Sequence, residues 1–217
     1  MDLFPLYLTI KVSFTAAAFT IAAGLVLARL MAKRDFFAKN IIDTLIMQPL
    51  VIPPTVLGYY LLTALGASSP LGRFLERLGI RIVFTWKGAV VASIVSSFPL
   101  FAKPALAAFE GVSADLENAA RLLGKTEFEV FRTVTLPLAW RGLAAGAVMA
   151  FARATGEFGA TLMVAGNIPG LTQTMPLAIY DAVQTGNAFA ANVMVGVITV
   201  FSFAVLYAAG RFSRVRF

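Results

Sequence analysis

Arg153 and Glu157 are the only charged residues of an otherwise apolar stretch, 142–164. They lie four residues apart, so a helix would place them on one face. Ionisable side chains in so apolar a segment are costly and usually have a function. The spacing allows a structural pair that neutralises itself or binds a neighbouring helix, a ligand pair for a transported substrate, a proton relay, or a general base at Glu157.

Two residue types that many enzymes use, Cys and His, are missing from the sequence. The chain has no Cys and no His, which excludes thiol catalysis, disulfides, histidine bases and the usual zinc sites. Glu157 has no second acid nearby in sequence, so a membrane-embedded enzyme has weak support. Gly124–Lys125–Thr126 resembles the end of a phosphate-binding loop, but Ala119 stands where that motif requires glycine. We therefore predict no catalytic residue, no metal site and no cofactor bound by this chain.

The composition predicts an all-α integral membrane protein with a single transmembrane domain, 1–217. Of the 217 residues, 59% are hydrophobic and 13% are charged, and the mean hydropathy is +0.82. A soluble domain has about 25% charged residues, and a membrane-spanning helix needs roughly 20 apolar residues. We predict five spans, at 7–31, 41–65, 86–109, 142–164 and 190–209.

The basic residues indicate how the spans are oriented. The net charge is +7, but these residues cluster beside apolar segments, where the positive-inside rule explains them without a nucleic-acid partner. Four lie in the predicted external loops: Arg73, Arg77, Arg81 and Lys87. Eleven lie in the predicted cytoplasmic segments: Arg29, Lys33, Arg34, Lys39, Arg121, Lys125, Arg132, Arg141, Arg211, Arg214 and Arg216. This asymmetry predicts an external N-terminus and a cytoplasmic C-terminus.

A polar interruption, Asp115–Pro137, separates the third and fourth predicted spans. It is typical of two short helices joined by a hinge. Ser113 is a suitable N-cap for the first helix, and Gly124 can end it in left-handed geometry. Thr126 and Glu129 have the spacing of a capping box for the second helix. Pro137 is expected to end that second helix.

One face of the first short helix is suited to a close approach by another chain. Glu117, Ala120 and Gly124 share this face, which has two small residues and one acid. The spacing of the segment resembles the EAA loop of ABC-importer permeases, with mild departures at Asn118 and Val134. The matching residues are Glu117, Ala119, Ala120, Gly124, Leu136 and Pro137. This resemblance implies that the cytoplasmic segment 111–141 contains a coupling helix that docks into a groove on a separate ATPase.

Prolines and hydroxyl groups interrupt several predicted spans. Pro49, Pro53 and Pro54 remove backbone donors from 41–65, and broken backbone at membrane depth is tolerated only against protein or a water-filled cavity. That segment is therefore either a pore-lining element or a kinked packing helix. The candidate pore residues are Ser96, Ser97, Arg153, Thr155 and Glu157.

Two stretches between spans are expected to hold short helices. In 67–85, apolar residues at helical spacing oppose charged ones, which is typical of an amphipathic helix at the membrane interface. In 167–187, the sequence NIPG predicts a turn, followed by a helix that starts near Pro176.

Beyond the EAA loop and the five-span length, two blocks resemble molybdate permeases of the ModB type. They are PLVIPPTVLGYYLL at 49–62 and FARATGEFGATLMVAGNIPGLTQTMPLAIY at 151–180. The sulfate/thiosulfate and tungstate branches share the architecture and transport similar tetrahedral dianions. The resemblance implies an ABC type I importer permease fold and a transport function for one of these oxyanions, most readily molybdate.

The same resemblance implies a set of partners. Two copies of the chain would form a pore with two copies of an ABC ATPase, and a periplasmic or lipid-anchored binding protein would deliver the anion. The chain would be a multi-pass protein of a prokaryotic inner membrane. The alternative from another class is an ion-coupled secondary transporter, which commonly shows internal repeats; none is evident here.

Overall fold

The computed structural model describes residues 3–33 and 37–213, without the side chains of 209 and 211–213. The described residues form α-helices, one π-helical turn and connecting turns, with no strand among them. The helices are α1 (Phe4–Lys33), α2 (Lys39–Val51), α3 (Pro54–Leu65), α4 (Pro70–Arg77), α5 (Trp86–Glu110), α6 (Ala114–Leu122), α7 (Glu127–Val130), α8 (Leu136–Thr155), α9 (Gly159–Ala165), α10 (Met175–Gln184) and α11 (Ala188–Ser213). The π-helical turn, Phe131–Thr135, joins α7 to α8. The predicted all-α class is confirmed.

Helices α1, α5 and α8 pack together as the centre of the bundle. Small residues allow this close approach, as is usual between membrane helices. A Cβ atom on Gly24 would lie 2.4 Å from Cδ1 of Phe101, and one on Gly146 would lie 3.2 Å from the Phe101 carbonyl oxygen. The ring of Phe101, buried on α5, therefore occupies space that glycines on α1 and α8 leave open.

Four helical segments are long and apolar enough to cross a membrane, or five if one bent pair counts as a single span. Three of the predicted spans, 7–31, 86–109 and 190–209, lie within α1, α5 and α11. Of the basic residues that predict the orientation, Arg34, Arg214 and Arg216 lie outside the described residues, and so does the side chain of Arg211.

The predicted span 41–65 is two helices, α2 and α3, bent by 115°. Pro53 and Pro54 supply no amide hydrogens at the junction, so the helical ladder stops there. After the bend α3 packs against α9, where a Cβ atom on Gly58 would lie 2.6 Å from Cβ of Met163. Helix α2 has one buried residue, Ile46. The sequence anticipated broken backbone but not this sharp change of direction.

The predicted boundaries of the fourth span, 142–164, differ from the structure at both ends. A continuous helical segment runs from Glu127 to Thr155 through the π-helical turn. Pro137 does not end it, because it directly follows the π-helical turn, where the Leu136 amide bonds five residues back to the Phe131 carbonyl and the regular α-helical ladder is already interrupted. The helix ends at Thr155 instead, and α9 begins only at Gly159.

The two short predicted helices between spans are present. Ser69 caps α4, since its hydroxyl oxygen accepts a hydrogen bond from the Gly72 amide at 2.8 Å. Helix α10 begins at Met175, next to Pro176, as predicted. In the preceding NIPG turn, Gly170 has a φ of +72°, which favours glycine.

Candidate functional site

The caps predicted from the sequence define the two short helices of the 111–141 segment. The Ser113 hydroxyl oxygen accepts from the Asp115 amide at 3.3 Å at the start of α6. Gly124 follows α6 with a φ of +84°. The Thr126 amide donates to Glu129 at 2.8 Å, and the Glu129 amide donates back to the Thr126 hydroxyl at 3.4 Å. The predicted capping box and glycine stop are therefore confirmed.

The carboxylate of Glu117 is buried against other parts of the same chain. Its side chain is 11% exposed, and its Oε1 lies 2.7 Å from Nη2 of Arg29 on α1. The hydroxyl of Thr135, in the π-helical turn, donates to the same oxygen. The other oxygen, Oε2, lies 3.5 Å from Nη2 of Arg121. Glu117 therefore connects α6 to α1 and to the start of α8.

Two aromatic rings hold the guanidinium of Arg29 in place. Its Cζ lies 5.7 Å from the ring centre of Phe109 and 5.5 Å from that of Phe131. A guanidinium at this distance from aromatic rings is attracted by their quadrupoles. Arg29 is thus held by rings from α5 and from the π-helical turn, in addition to its contact with Glu117.

These contacts keep Glu117 ionised. Burial by itself would raise the pKa of this carboxyl group, but the hydrogen bonds from Thr135 and Arg29, with the charges of Arg29 and Lys33, hold the pKa below its ordinary value. A charged carboxylate in a poorly solvated position is stable only with such partners. The site is therefore a charged anchor that joins three elements.

A second set of ion pairs connects the two short helices to each other. Arg121 Nε lies 2.5 Å from Glu127 Oε1, and Lys33 Nζ lies 3.1 Å from Glu127 Oε2. Arg121 also donates to Asn118 at 2.7 Å. The Lys33 and Arg121 side chains are about one third exposed and that of Glu127 is 64% exposed, and single ion pairs at such positions contribute little. Their effect is to orient α6 and α7 around the more buried Glu117.

The face of α6 predicted to meet another chain is turned inward. Glu117 and Ala120 are buried within the chain itself, because an ionised glutamate there needs the partners on α1. Of the other predicted coupling residues, Ala119, Gly124 and Pro137 are exposed and Leu136 is half-buried. Leu122 and Leu123, which the sequence did not single out, are 89% and 83% exposed, and Phe128 is 71% exposed.

Arg153 and Glu157 form the ion pair that their spacing allowed. Arg153 Nη2 lies 2.6 Å from Glu157 Oε2. The other carboxylate oxygen accepts a hydrogen bond from the Ala160 amide at 3.0 Å, in the first turn of α9. Glu157 therefore holds together the end of α8 and the start of α9. The Arg153 side chain is 28% exposed, whereas that of Glu157 is 1% exposed.

The break between α8 and α9 meets the break between α2 and α3. A Cβ atom on Gly159 would lie 2.9 Å from Cβ of Pro54, the first residue of α3. Glu157 is two residues before Gly159. The two interrupted helices therefore come together beside the Arg153–Glu157 pair, which sequence spacing alone did not show.

The hydroxyl groups proposed to face a pore are engaged inside the bundle. Ser97 donates to the Ser93 carbonyl at 2.6 Å and lies 3.3 Å from the Thr20 hydroxyl of α1. Ser96 is buried and lies 3.3 Å from the same carbonyl. Thr155 donates to the Phe151 carbonyl at 2.9 Å. In this conformation these three groups bond mainly to the preceding turns of their own helices.

Sequence reasoning missed Arg29 and Thr135 as partners of Glu117. Arg29 counted only toward membrane orientation, yet it interrupts the apolar run LVLARLMA, and this position was the available signal. It also missed that Lys103 is bound by both carboxylate oxygens of Asp43, at 2.7 and 2.8 Å. No local pattern pointed to Asp43.

Curated relatives are similar along most of the chain. The putative molybdenum transport system permease protein YvgM of Bacillus subtilis is 44% identical over 173 residues, covering 79% of this chain and 76% of the relative. The molybdenum transport system permease protein ModB of Escherichia coli K12 is 43% identical over 179 residues, covering 82% and 78%. ModB of Haemophilus influenzae is 46% identical over 154 residues, covering 70% and 67%.

Solved structures share the fold at low sequence identity. A chain of the inward-facing MetNI methionine ABC transporter has a TM-score of 0.73 at 19% identity, covering 97% of this chain and 93% of that one. A chain of a bacterial alginate importer has a TM-score of 0.76 at 16% identity, covering 98% and 78%. These likenesses confirm the predicted ABC type I importer permease fold.

The family match covers nearly the whole chain. The family described as "Binding-protein-dependent transport system inner membrane component" matches residues 21–215. The match includes the 111–141 segment, both helix breaks and the Arg153–Glu157 pair. Together with the relatives, it shows that this chain belongs to the family of binding-protein-dependent transport system inner membrane components, the multi-pass, non-catalytic permease subunits of ABC importers.

Proposed function

We propose that this chain is the pore-forming subunit of an ATP-driven molybdate importer. The observation that carries this proposal is the 43–46% identity to molybdenum transport permeases of Escherichia coli and Haemophilus influenzae. The two blocks that resemble molybdate permeases in sequence, 49–62 and 151–180, contain the two helix breaks that meet at Pro54 and Gly159.

The partner ATPase, in two copies, is proposed to dock on the exposed surface of α6, α7 and the turn between them, residues 114–130. Leu122, Leu123 and Phe128 supply apolar area there, and such residues are typical of the buried part of a protein interface. Glu117 lies beneath this surface and holds α6 on α1. Ala119 and Gly124 are exposed beside it. In this proposal Glu117 and Ala120 support the docking helix, and the leucines make the contact.

A displacement of the docking surface can be transmitted into the bundle by one continuous helix. The helical segment Glu127–Thr155 has 29 residues and is continuous through the π-helical turn. At 1.5 Å per residue it is about 40 Å long. It begins beside the Glu117 anchor and ends at the Arg153–Glu157 pair. Movement of α6 and α7 on the ATPase would therefore be transmitted along this helix to the break.

The proposed assembly contains a second copy of the chain and an oxyanion-binding protein, periplasmic or lipid-anchored, on the other side of the inner membrane. The N-terminus is external and the C-terminus cytoplasmic in this arrangement. The family description, which names binding-protein-dependent transport and an inner membrane component, supports the binding protein and the inner-membrane location. ATP binding and hydrolysis belong to the partner subunit.

The test uses the complex of this chain with its ATPase, reconstituted in liposomes. ATP hydrolysis and uptake are measured with binding protein loaded with molybdate, tungstate or sulfate. Molybdate-loaded protein is expected to stimulate hydrolysis most and to support uptake. Stimulation by the sulfate-loaded protein alone would identify sulfate, and not molybdate, as the transported anion. Uptake that requires an ion gradient but no ATP would overturn the proposal in favour of a secondary transporter.

A further inference from the structure

The Arg153–Glu157 pair exposes its cation and hides its anion. The Glu157 side chain is 1% exposed, whereas that of Arg153 is 28% exposed. Glu157 is further fixed by the Ala160 amide, so it cannot turn outward without losing that bond. Although the pair is neutral overall, its accessible part is the positively charged guanidinium.

Arg153 also differs from two other bound cations of the candidate membrane helices. Lys103 is held by both oxygens of Asp43, and Arg29 by Glu117 and two aromatic rings. Within the part of the chain that the structure describes, Arg153 has a single charged contact, from Nη2. Guanidinium has five N–H donors, so most of them stay available to a ligand.

The location of Arg153 suits a transported ion. Met149, Arg153 and Gly156 are spaced i, i+4 and i+7 and therefore lie on one side of the helix and the turn that ends it. Met149 is 46% exposed and Gly156 is exposed, so the chain's own helices do not cover this side. It adjoins the two helix breaks, and broken backbone at membrane depth lies against protein or a water-filled cavity.

We propose that Arg153 is a contact for the oxyanion in the pathway and that Glu157 is its positioning residue. This inference rests on the proposed function and adds to it the residue that meets the substrate. A tetrahedral dianion can accept two N–H groups from one guanidinium. Because the negative charge of Glu157 offsets the positive charge of Arg153, binding of the anion stays weak, which permits release.

The experiment compares four variants in the reconstituted complex, using radiolabelled molybdate and loaded binding protein. They are Arg153→Gln, Arg153→Lys, Glu157→Gln and the double variant Arg153→Gln with Glu157→Gln. Arg141→Gln is the matched control, because Arg141 is an exposed cation on the same helix. Uptake per ATP hydrolysed is measured together with complex yield.

The double variant separates a structural role from substrate contact. It removes both charges, so neither is left buried alone, and a purely structural pair predicts uptake near that of the wild type. Contact with the anion predicts about a tenfold or greater loss in the double variant and in Arg153→Gln. Arg153→Lys should keep part of the uptake, because it keeps the charge without the planar fork. Glu157→Gln should lower uptake less, because its amide oxygen can still accept from Ala160.

Two outcomes would contradict the inference that Arg153 contacts the anion. Wild-type uptake by the double variant would overturn the inference, and so would equal losses in Arg141→Gln and Arg153→Gln. These failures differ from failure of the proposed function, in which the unmodified complex itself shows no molybdate uptake and no stimulated hydrolysis.

Discussion

Two glutamates are buried in the part of the chain that the structure describes, and they are held in different ways. Glu117 is bound by Arg29 and Thr135, which are 88 and 18 residues away in sequence. Glu157 is bound by Arg153 and the Ala160 amide, four and three residues away. The first joins separate elements, whereas the second fixes one local break. Loss of Glu117 should therefore disturb the whole 111–141 segment, and loss of Glu157 should act on the break.

The largest expected effect is from Arg29→Ala, which leaves Glu117 ionised and poorly solvated. Because Arg121 and Lys33 still lie near the Glu117 carboxylate, we expect a cost of about 2 kcal/mol. We expect a lower Tm of the purified chain and ATP hydrolysis that no longer responds to loaded binding protein. Arg132→Ala, at an exposed position of the same π-helical turn, is the control and should change stability by less than about 0.5 kcal/mol. Equal effects of the two variants would contradict the anchor role.

A smaller loss of stability is expected from Glu157→Gln. Arg153 is partly exposed, so water solvates it when its partner is neutral, and we expect about 1 kcal/mol. Two double-mutant cycles, one on Arg29 and Glu117 and one on Arg153 and Glu157, measure the comparison directly. The coupling energy should be larger for the first pair. A larger value for the second would reverse the assignment of the two sites.

The exposed leucines test whether docking and anchoring are separate. Leu122→Asp and Leu123→Asp change residues that are 89% and 83% exposed. The free energy of unfolding should therefore change by less than about 0.5 kcal/mol, with little change in Tm. Co-purification of the ATPase should nevertheless be lost, because a charge would enter an apolar interface. Thr133→Asp, at an exposed position outside this surface, should retain the ATPase. A clearly lower Tm in the leucine variants would show that the two leucines support the fold.

The smallest effect is a pH dependence of stability from Glu117. Its pKa is lower in the folded chain than the ordinary value of 4.5, so the carboxylate stabilises the fold above that value. This contribution is lost as the pH falls below 4.5 through the folded pKa. The difference in stability between wild type and Glu117→Gln should therefore be constant from pH 6 to 8 and shrink in acid. A constant difference throughout would contradict the shifted pKa.

The sequence by itself determined the features that depend on near neighbours. Ser113, Gly124 and the Thr126–Glu129 box define helix ends within four residues, so their spacing is sufficient. The Arg153–Glu157 pair follows from one helical turn. The lengths of the apolar stretches predicted α1, α5 and α11. The spacing of the EAA residues was sufficient to indicate the family.

Only the tertiary structure decided which groups meet across the chain. It brought Arg29 to Glu117, turned the Glu117 face of α6 inward, and placed Pro54 against Gly159. It also showed that the helix continues past Pro137 after a π-helical turn. The physical reason is the same in the first three cases: the pairing of a buried charge and the close packing of glycines depend on positions tens of residues apart, and local propensity holds no information about them.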